Sequence, residues 1–282
     1  MKHTYKAYAK INLLLDVTGK RPDGYHSVAM ILQSIDLHDI VTVEHTSGAG
    51  IEITCNLPYI PTDHRNIAWK AAAAFGATEG LKITLEKRIS SQAGLGGGSA
   101  DAAAVLTALR DTFKRDMPDE ELREIGAQVG ADVPFCLLGG CCLAEGIGEI
   151  LTPLPCLPAS YEIEVAKPSA GISTARAYAA LDQIALKRPR TSQAVALAKR
   201  GDWESLFSLC ENVFEQAIGL PGLLAYKQDR LQSGALMAQL TGSGSAMFSI
   251  WRTGERPKGL QAPMPCEDTH ICRAIETGVE RI

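Results

Sequence analysis

Two charged residues and a run of glycines carry most of the chemistry this sequence could perform: Lys10, Asp132 and Gly94-Leu95-Gly96-Gly97-Gly98-Ser99. Glycines without a Cβ let a backbone come close to a ligand, and successive N–H groups ahead of a helix favour an anion, phosphate above all. A Walker loop needs Gly-Lys-Ser/Thr, and the one Gly-Lys, at Gly19-Lys20, continues with Arg21. A dinucleotide fingerprint fits Gly94 and Gly96 but meets Ser99 at its third glycine, and Glu120 and Glu121 fall in or beyond the crossover helix, where no ribose acid belongs. A plain tight turn needs one or two glycines, so anion binding is the better reading.

The other candidates each have a plainer explanation. Lys10, beside Ile11 and Asn12 in an alternating run, points with Asn12 to one face of a strand, and a solvated lysine is the ordinary outcome. Asp132, before Val133-Pro134, reads as a turn acid. Ser99 is either a helix N-cap or a hydroxyl for phosphate or Mg²⁺, and Asp101 is either a favourable first-turn acid or a nucleotide or metal contact. Asn66, opening an Ala-rich run, caps a helix equally well. Tyr25 and His26 follow Asp23-Gly24 in a turn, where an aromatic is harder to explain by core packing. No cluster of acids has the spacing of a metal cage, so any Mg²⁺ is expected on nucleotide phosphates and water.

The elements that must hold these residues follow from periodicity. Strands are expected over 4–17 and 27–46, around a Gly19–Gly24 loop, and over 51–55 and 81–89. Helices are expected over 66–75, from the glycine run onward, and from Pro118 to about Val129 with three acids in its first turn. Residues 135–144 read as a strand or hairpin. Pro153, Pro155 and Pro158 suggest a rigid connection and a division into 1–155 and 156–282. Beyond it come a strand at 161–166, helices near 173–184, 191–199, 203–217 and 221–233, and a strand at 246–251.

Composition sets outer limits. The 282 residues are enough for two cores, and a net charge of −4 supplies no field for nucleic acid. No run is long and apolar enough to span a membrane, and no signal-peptide core stands near the N-terminus, so a cytoplasmic protein is expected. Eight cysteines without a CxxC pair read as reduced and mostly buried.

Three segments together resemble the GHMP kinase superfamily, which includes galacto-, homoserine and mevalonate kinases. They are Ala7-Tyr8-Ala9-Lys10-Ile11-Asn12-Leu13, the glycine run through Ser99-Ala100, and Leu240-Thr241-Gly242-Ser243-Gly244-Ser245-Ala246. Arg21-Pro22-Asp23-Gly24-Tyr25-His26 and Gly130-Ala131-Asp132-Val133-Pro134-Phe135 narrow the match to the branch that phosphorylates a cytidine-diphosphate-linked methylerythritol in the non-mevalonate isoprenoid pathway. The resemblance implies an α+β fold of two domains. The first would be ribosomal-protein-S5-like and bind ATP, and the second would lay helices on an antiparallel sheet and contribute to the cleft.

It further implies catalysis by Lys10 and Asp132, and ATP held by Ser91, Gln92, Ala93, Gly94, Leu95, Gly96, Gly97, Gly98, Ser99, Asp101 and Asn66. Acceptor binding falls to Asn12, Tyr25, His26, Thr174 and Tyr178, with Gly242, Ser243 and Gly244 as the third loop. ATP and Mg²⁺ are the implied cofactors, Ser99 a possible metal contact, and the protein a monomer or homodimer. The motif's usual proline is Ser90 here, which frees that strand end. Another kinase of the superfamily, or a non-catalytic nucleotide-binding regulator, are the competing readings. The first has no use for Tyr25, His26 and Tyr178, and the second none for Lys10 and Asp132.

Overall fold

In the computed structural model, which describes residues 1–77 and 79–282 (Glu79 in its backbone only), the chain starts with a long antiparallel hairpin, β1 (Lys2–Lys20) and β2 (His26–Ala49). β1 is buried almost without interruption from Ala7 to Val17, because it is covered on both faces. β3 (Ile51–Cys55) lies parallel to β4 (Glu79–Glu86), which pairs with β2, and α1 (Ile67–Ala74) stands between β3 and β4 in the chain. α2 (Gly97–Phe113) follows the glycine run and buries Ala100, Ala102, Ala103, Ala104 and Ala108, small side chains that bring its axis close to β1 and α1.

α3 (Asp119–Val129) carries Asp119, Glu120 and Glu121 in its first turn, with Pro118 at the N-cap. Residues 133–138 form a short helix, α4 (Val133–Leu138), with Asp132 at its N-cap and Pro134 in the first turn, where a proline costs no hydrogen bond. Only β5 (Cys141–Glu145) remains of the expected strand, and it pairs with β2 and with β6 (Ile150–Leu154). β6 was not foreseen, since it contains Pro153, which an outer strand tolerates.

After Pro155 the chain enters a second, wholly antiparallel sheet: β7 (Tyr161–Pro168), β8 (Met237–Leu240), β9 (Met247–Arg252) and β10 (Cys266–Cys272), in the order β10-β7-β9-β8. Between β7 and β8 run α5 (Thr174–Leu181), α6 (Thr191–Arg200), α7 (Trp203–Phe207), a 3-10 turn (Val213–Gln216) and α8 (Leu223–Gln232). The single helix expected over 203–217 is broken because Asn212 is diverted. Its side chain accepts from the Phe214 N–H and donates to the carbonyls of Leu240 (2.9 Å) and Gly242 (2.8 Å). The last strand, β11 (Val279–Arg281), returns to the first sheet and pairs with β1.

Candidate active site

The glycine loop lies where β4 hands over to α2. Gly94 and Gly96 both have positive φ (77° and 73°), which favours glycine. Space demands it too: a Cβ on Gly94 would lie 2.2 Å from the Thr241 carbonyl oxygen, and one on Gly96 would lie 3.0 Å from Cγ of Lys10. The loop is therefore pressed against the third-motif loop and the stem of Lys10. Gly96 is the N-cap of α2 and offers no side-chain cap, so the first-turn amides remain available for an anion. Ser99 is the third residue of the helix and not its cap, so its hydroxyl is not spent on capping.

Lys10 comes from β1 and is only 4% exposed. Its backbone N–H donates to the Leu95 carbonyl (3.0 Å), its Nζ donates to Oδ1 of Asn12 (2.8 Å), and Nζ stands 3.7 Å from Oδ2 of Asp132. The Asp132 side chain remains about a third exposed, at 32%, towards the cleft. Ile11, on the opposite face of β1, is fully buried, as the alternation requires.

Asn12 lines the cleft, and its amide is also bonded within the protein. Oδ1 accepts from Lys10 Nζ, from the Gly242 N–H (2.9 Å) and from the Thr241 hydroxyl (3.3 Å), while Nδ2 donates to Met30 Sδ (3.3 Å). It joins the first motif to the third. Asp101 also lines the cleft, and one of its carboxylate oxygens is bonded beneath the loop. Its Oδ2 lies 2.6 Å from Nζ of Lys87, which also pairs with Asp39, and all three side chains are buried beneath the loop. Burial pushes the Asp101 carboxyl well above the usual carboxylate range, with Lys87 pulling it down and Asp39 adding to the rise. For Lys87, burial opposes the charge, but the two carboxylates outweigh it and raise its pKa. Oδ1 of Asp39 also accepts from the backbone N–H groups of Arg88 and Ile89, so the triad ties the strand entering the loop to the helix leaving it.

Asn66 caps α1 through the Ala68 N–H (2.9 Å) and donates to the Pro61 carbonyl, at the rim of the same cleft. Ser90, which the lost proline was expected to leave freer, donates to Oδ2 of Asp268 on β10 (2.7 Å). Gln92 holds a positive φ of 51°, and its carbonyl accepts from the Ser245 N–H. On the opposite wall, the His26 and Tyr178 rings are stacked with centroids 4.7 Å apart, and Tyr178 meets Phe214 edge-on. Tyr25 stands free of them at 62% exposure. The hydroxyls of Thr174 and Ser243 are 3.0 Å apart.

One cleft of about 1020 Å³ is lined by every site residue expected from the sequence except Gly244, including Ser91, Gln92, Ala93, Leu95, Gly97 and Gly98. It lies at the top of the roughly 300–1,000 Å³ range of small-molecule pockets. Among the described residues, no group of three or more His, Cys, Asp or Glu side chains is placed to hold a metal ion. Lys87, Asp39 and Asn212 are functional residues that the sequence does not single out. Nothing local marks them, since each acts through partners far along the chain. All eight cysteines are free, four of them buried.

Comparison with known proteins agrees with this architecture. The family model described as GHMP kinases N terminal domain matches residues 65–140. The chain is 41% identical to the 4-diphosphocytidyl-2-C-methyl-D-erythritol kinase of Alkaliphilus metalliredigens, over 95% of each chain. It superposes on a crystal structure of 4-(cytidine 5'-diphospho)-2C-methyl-D-erythritol kinase with a TM-score of 0.70 and 33% identity, covering 89% of this chain and 90% of that one. A homoserine kinase from Cytophaga hutchinsonii, at 22% identity and a TM-score of 0.78 over 100% of this chain and 97% of that one, shares the fold. With the GHMP fold, the glycine loop and this degree of identity together, the chain belongs to the 4-diphosphocytidyl-2-C-methyl-D-erythritol kinase family.

Proposed function

We propose that the protein transfers the γ-phosphoryl group of ATP to the 2-hydroxyl of 4-diphosphocytidyl-2-C-methyl-D-erythritol, giving the 2-phosphate and ADP. The observation that carries this reading is the Lys10–Asp132 pair, 3.7 Å apart, between an uncapped helix N-terminus and a wall bearing Tyr25, His26 and Tyr178. The acceptor oxygen forms a bond to the γ-phosphorus as the bond to the β–γ bridging oxygen breaks. The hydroxyl proton passes to the Asp132 carboxylate late in a loose transfer, in which positioning and charge neutralisation do most of the catalysis. Lys10 neutralises charge at the reacting group and holds Asp132 in place, itself fixed by Asn12. Asn12 and the third loop of Gly242, Ser243 and Gly244 act as positioning residues, and the α2 amides with the Ser91–Ser99 backbone hold the triphosphate.

One hydroxyl and one accessible carboxylate suit a Mg²⁺ carried on phosphate oxygens and water, and not an all-protein cage. When bound, Mg²⁺ neutralises the phosphate charge, and Ser99 is the residue to hold it. A division into an ATP-binding part (1–155) and a part completing the acceptor cleft (156–282) is supported by the passage from one sheet to the other between β6 and β7. β11 crosses back to the first sheet. A cytoplasmic enzyme agrees with the absence, among the described residues, of any helix long and apolar enough to cross a membrane.

A coupled assay of ATP consumption tests the reading with the diphosphocytidyl acceptor, homoserine, mevalonate and no acceptor. Turnover is expected with the first alone, and its absence there overturns the assignment.

A further inference from the structure

We propose that Asp182 is a positioning residue for the acceptor base, fixing the His26 imidazole and docking the β1–β2 hairpin onto α5. The inference rests on the reading that Tyr25, His26 and Tyr178 receive a nucleobase.

Lys20 and His26 are directly opposite each other in the β1–β2 ladder, at the rung next to the turn. Both reach one carboxylate: Nζ of Lys20 lies 2.5 Å from Oδ2 of Asp182, and Nε2 of His26 lies 2.8 Å from Oδ1. Asp182 is the C-cap residue of α5, one turn beyond Tyr178, whose ring stacks on the same imidazole. One face of α5 therefore holds His26 twice, through the ring plane and through a ring nitrogen. Because β1 and β2 lie in the first sheet and α5 follows the second sheet's first strand, the contact also links the two halves of the cleft.

Hydrogen bonds from Lys20 and then from His26 hold the Asp182 carboxyl below the usual carboxylate range. An ionised carboxylate can only accept, so Nε2 of His26 carries the proton and its second nitrogen, Nδ1, is left for other contacts. A side chain that orients a ligand-binding imidazole in this way acts through the ring and does not touch the phosphates. The charged partner left behind, Lys20, is 58% exposed, so replacing Asp182 leaves no buried charge unpaired.

The test compares Asp182→Ala, Asp182→Asn and Lys20→Met with the parent enzyme by steady-state kinetics and by calorimetric binding of CDP. Removing a hydrogen bond to a charged group predicts that Asp182→Ala raises KM for the acceptor and Kd for CDP about tenfold or more. KM for ATP and kcat should stay within about twofold, because Asp182 has no part in the phosphoryl site. Asp182→Asn, which keeps one acceptor oxygen, should fall between, and Lys20→Met should shift acceptor KM less than Asp182→Ala. If the parent enzyme turns over the acceptor and binds CDP but Asp182→Ala matches it in both, this proposal is wrong and the functional reading stands. A parent enzyme that neither binds CDP nor uses the acceptor removes both. Equal losses in ATP KM, acceptor KM and kcat would show Asp182 to be structural.

Discussion

Replacing Lys87 with methionine tests whether the buried triad under the glycine loop holds the loop in shape. Lys87 and both its partners, Asp39 and Asp101, are almost entirely buried, so the variant leaves two carboxylates with no counter-ion. Breaking a buried pair by removing one partner costs about 3–5 kcal/mol. For a chain of this size, at about 2 °C per kcal/mol, that lowers Tm by roughly 6–10 °C.

The pH dependence has a definite sign. The folded pKa of Asp101 lies above its unfolded value of 3.8, so folding takes up a proton between the two and stability falls as pH rises through that window. Removing the ammonium that pulls the folded value down widens the window. The loss in Lys87→Met should therefore be largest near pH 8 and shrink towards pH 5, where the Asp101 carboxyl is protonated with or without Lys87. Adding Asp101→Asn to Lys87→Met, which removes one of the stranded charges, should restore part of the loss. Denaturant and thermal unfolding from pH 5 to 8 measure all of this. A loss below about 1 kcal/mol that does not vary with pH would mean that the triad is solvated and screened, and would refute its role.

Four further outcomes follow from the site. Asp132→Asn should lower kcat by about 10²–10⁴-fold while changing the Kd for ATP little, and an equal loss of ATP affinity would mark Asp132 as structural. Tyr178→Ala should raise KM for the acceptor about tenfold, the worth of one base–aromatic stack, and leave KM for ATP unchanged. Gly94→Ala forces a Cβ to 2.2 Å from the Thr241 carbonyl at positive φ, so it should weaken ATP binding in calorimetry and destabilise the fold. Asn12→Ala should reduce kcat without changing acceptor specificity, because the residue holds Lys10 and the third loop; unchanged kcat would count against this.

What was legible in the sequence depended on how local the physics was. The glycine run, the alternation around Lys10 and the acids opening α3 carry their signal in a few neighbouring residues, and β1, β2 and α1 came out close to their observed limits, as did the start of α2. What the sequence does not show has long-range causes. Asn12 looks like a free polar neighbour of Lys10, yet its partners are Thr241 and Gly242, at the other end of the chain. Asn212 sits in a run that reads as one helix, and the break goes with its bonds to the third loop and with the pairing of Glu211 and Asn212 to Leu15 of β1. β10 and β11 are short and mostly exposed, so no hydrophobic period marks them. Residues 133–138 are apolar all round, a pattern in which a buried strand and a short buried helix look alike; Asp132 and Pro134 decide for the helix.

The same distinction bears on how a chain of net charge −4 would hold a triphosphate. Lys87 lies beneath the loop, but two carboxylates surround it, so it adds no net positive field there. Lys10 faces Asp132 and is shared with Asn12. The uncompensated positive groups at the loop are therefore the first-turn amides of α2, left free because Gly96 caps the helix with backbone alone. Anion binding through amides depends on backbone geometry, and that geometry is set by the absence of two Cβ atoms, at Gly94 and Gly96. The Lys87 triad and Asn12 then have a common purpose. One ties the two ends of the loop together, and the other pins the facing loop against it, so that a site with little charge of its own keeps its amides aimed at one place.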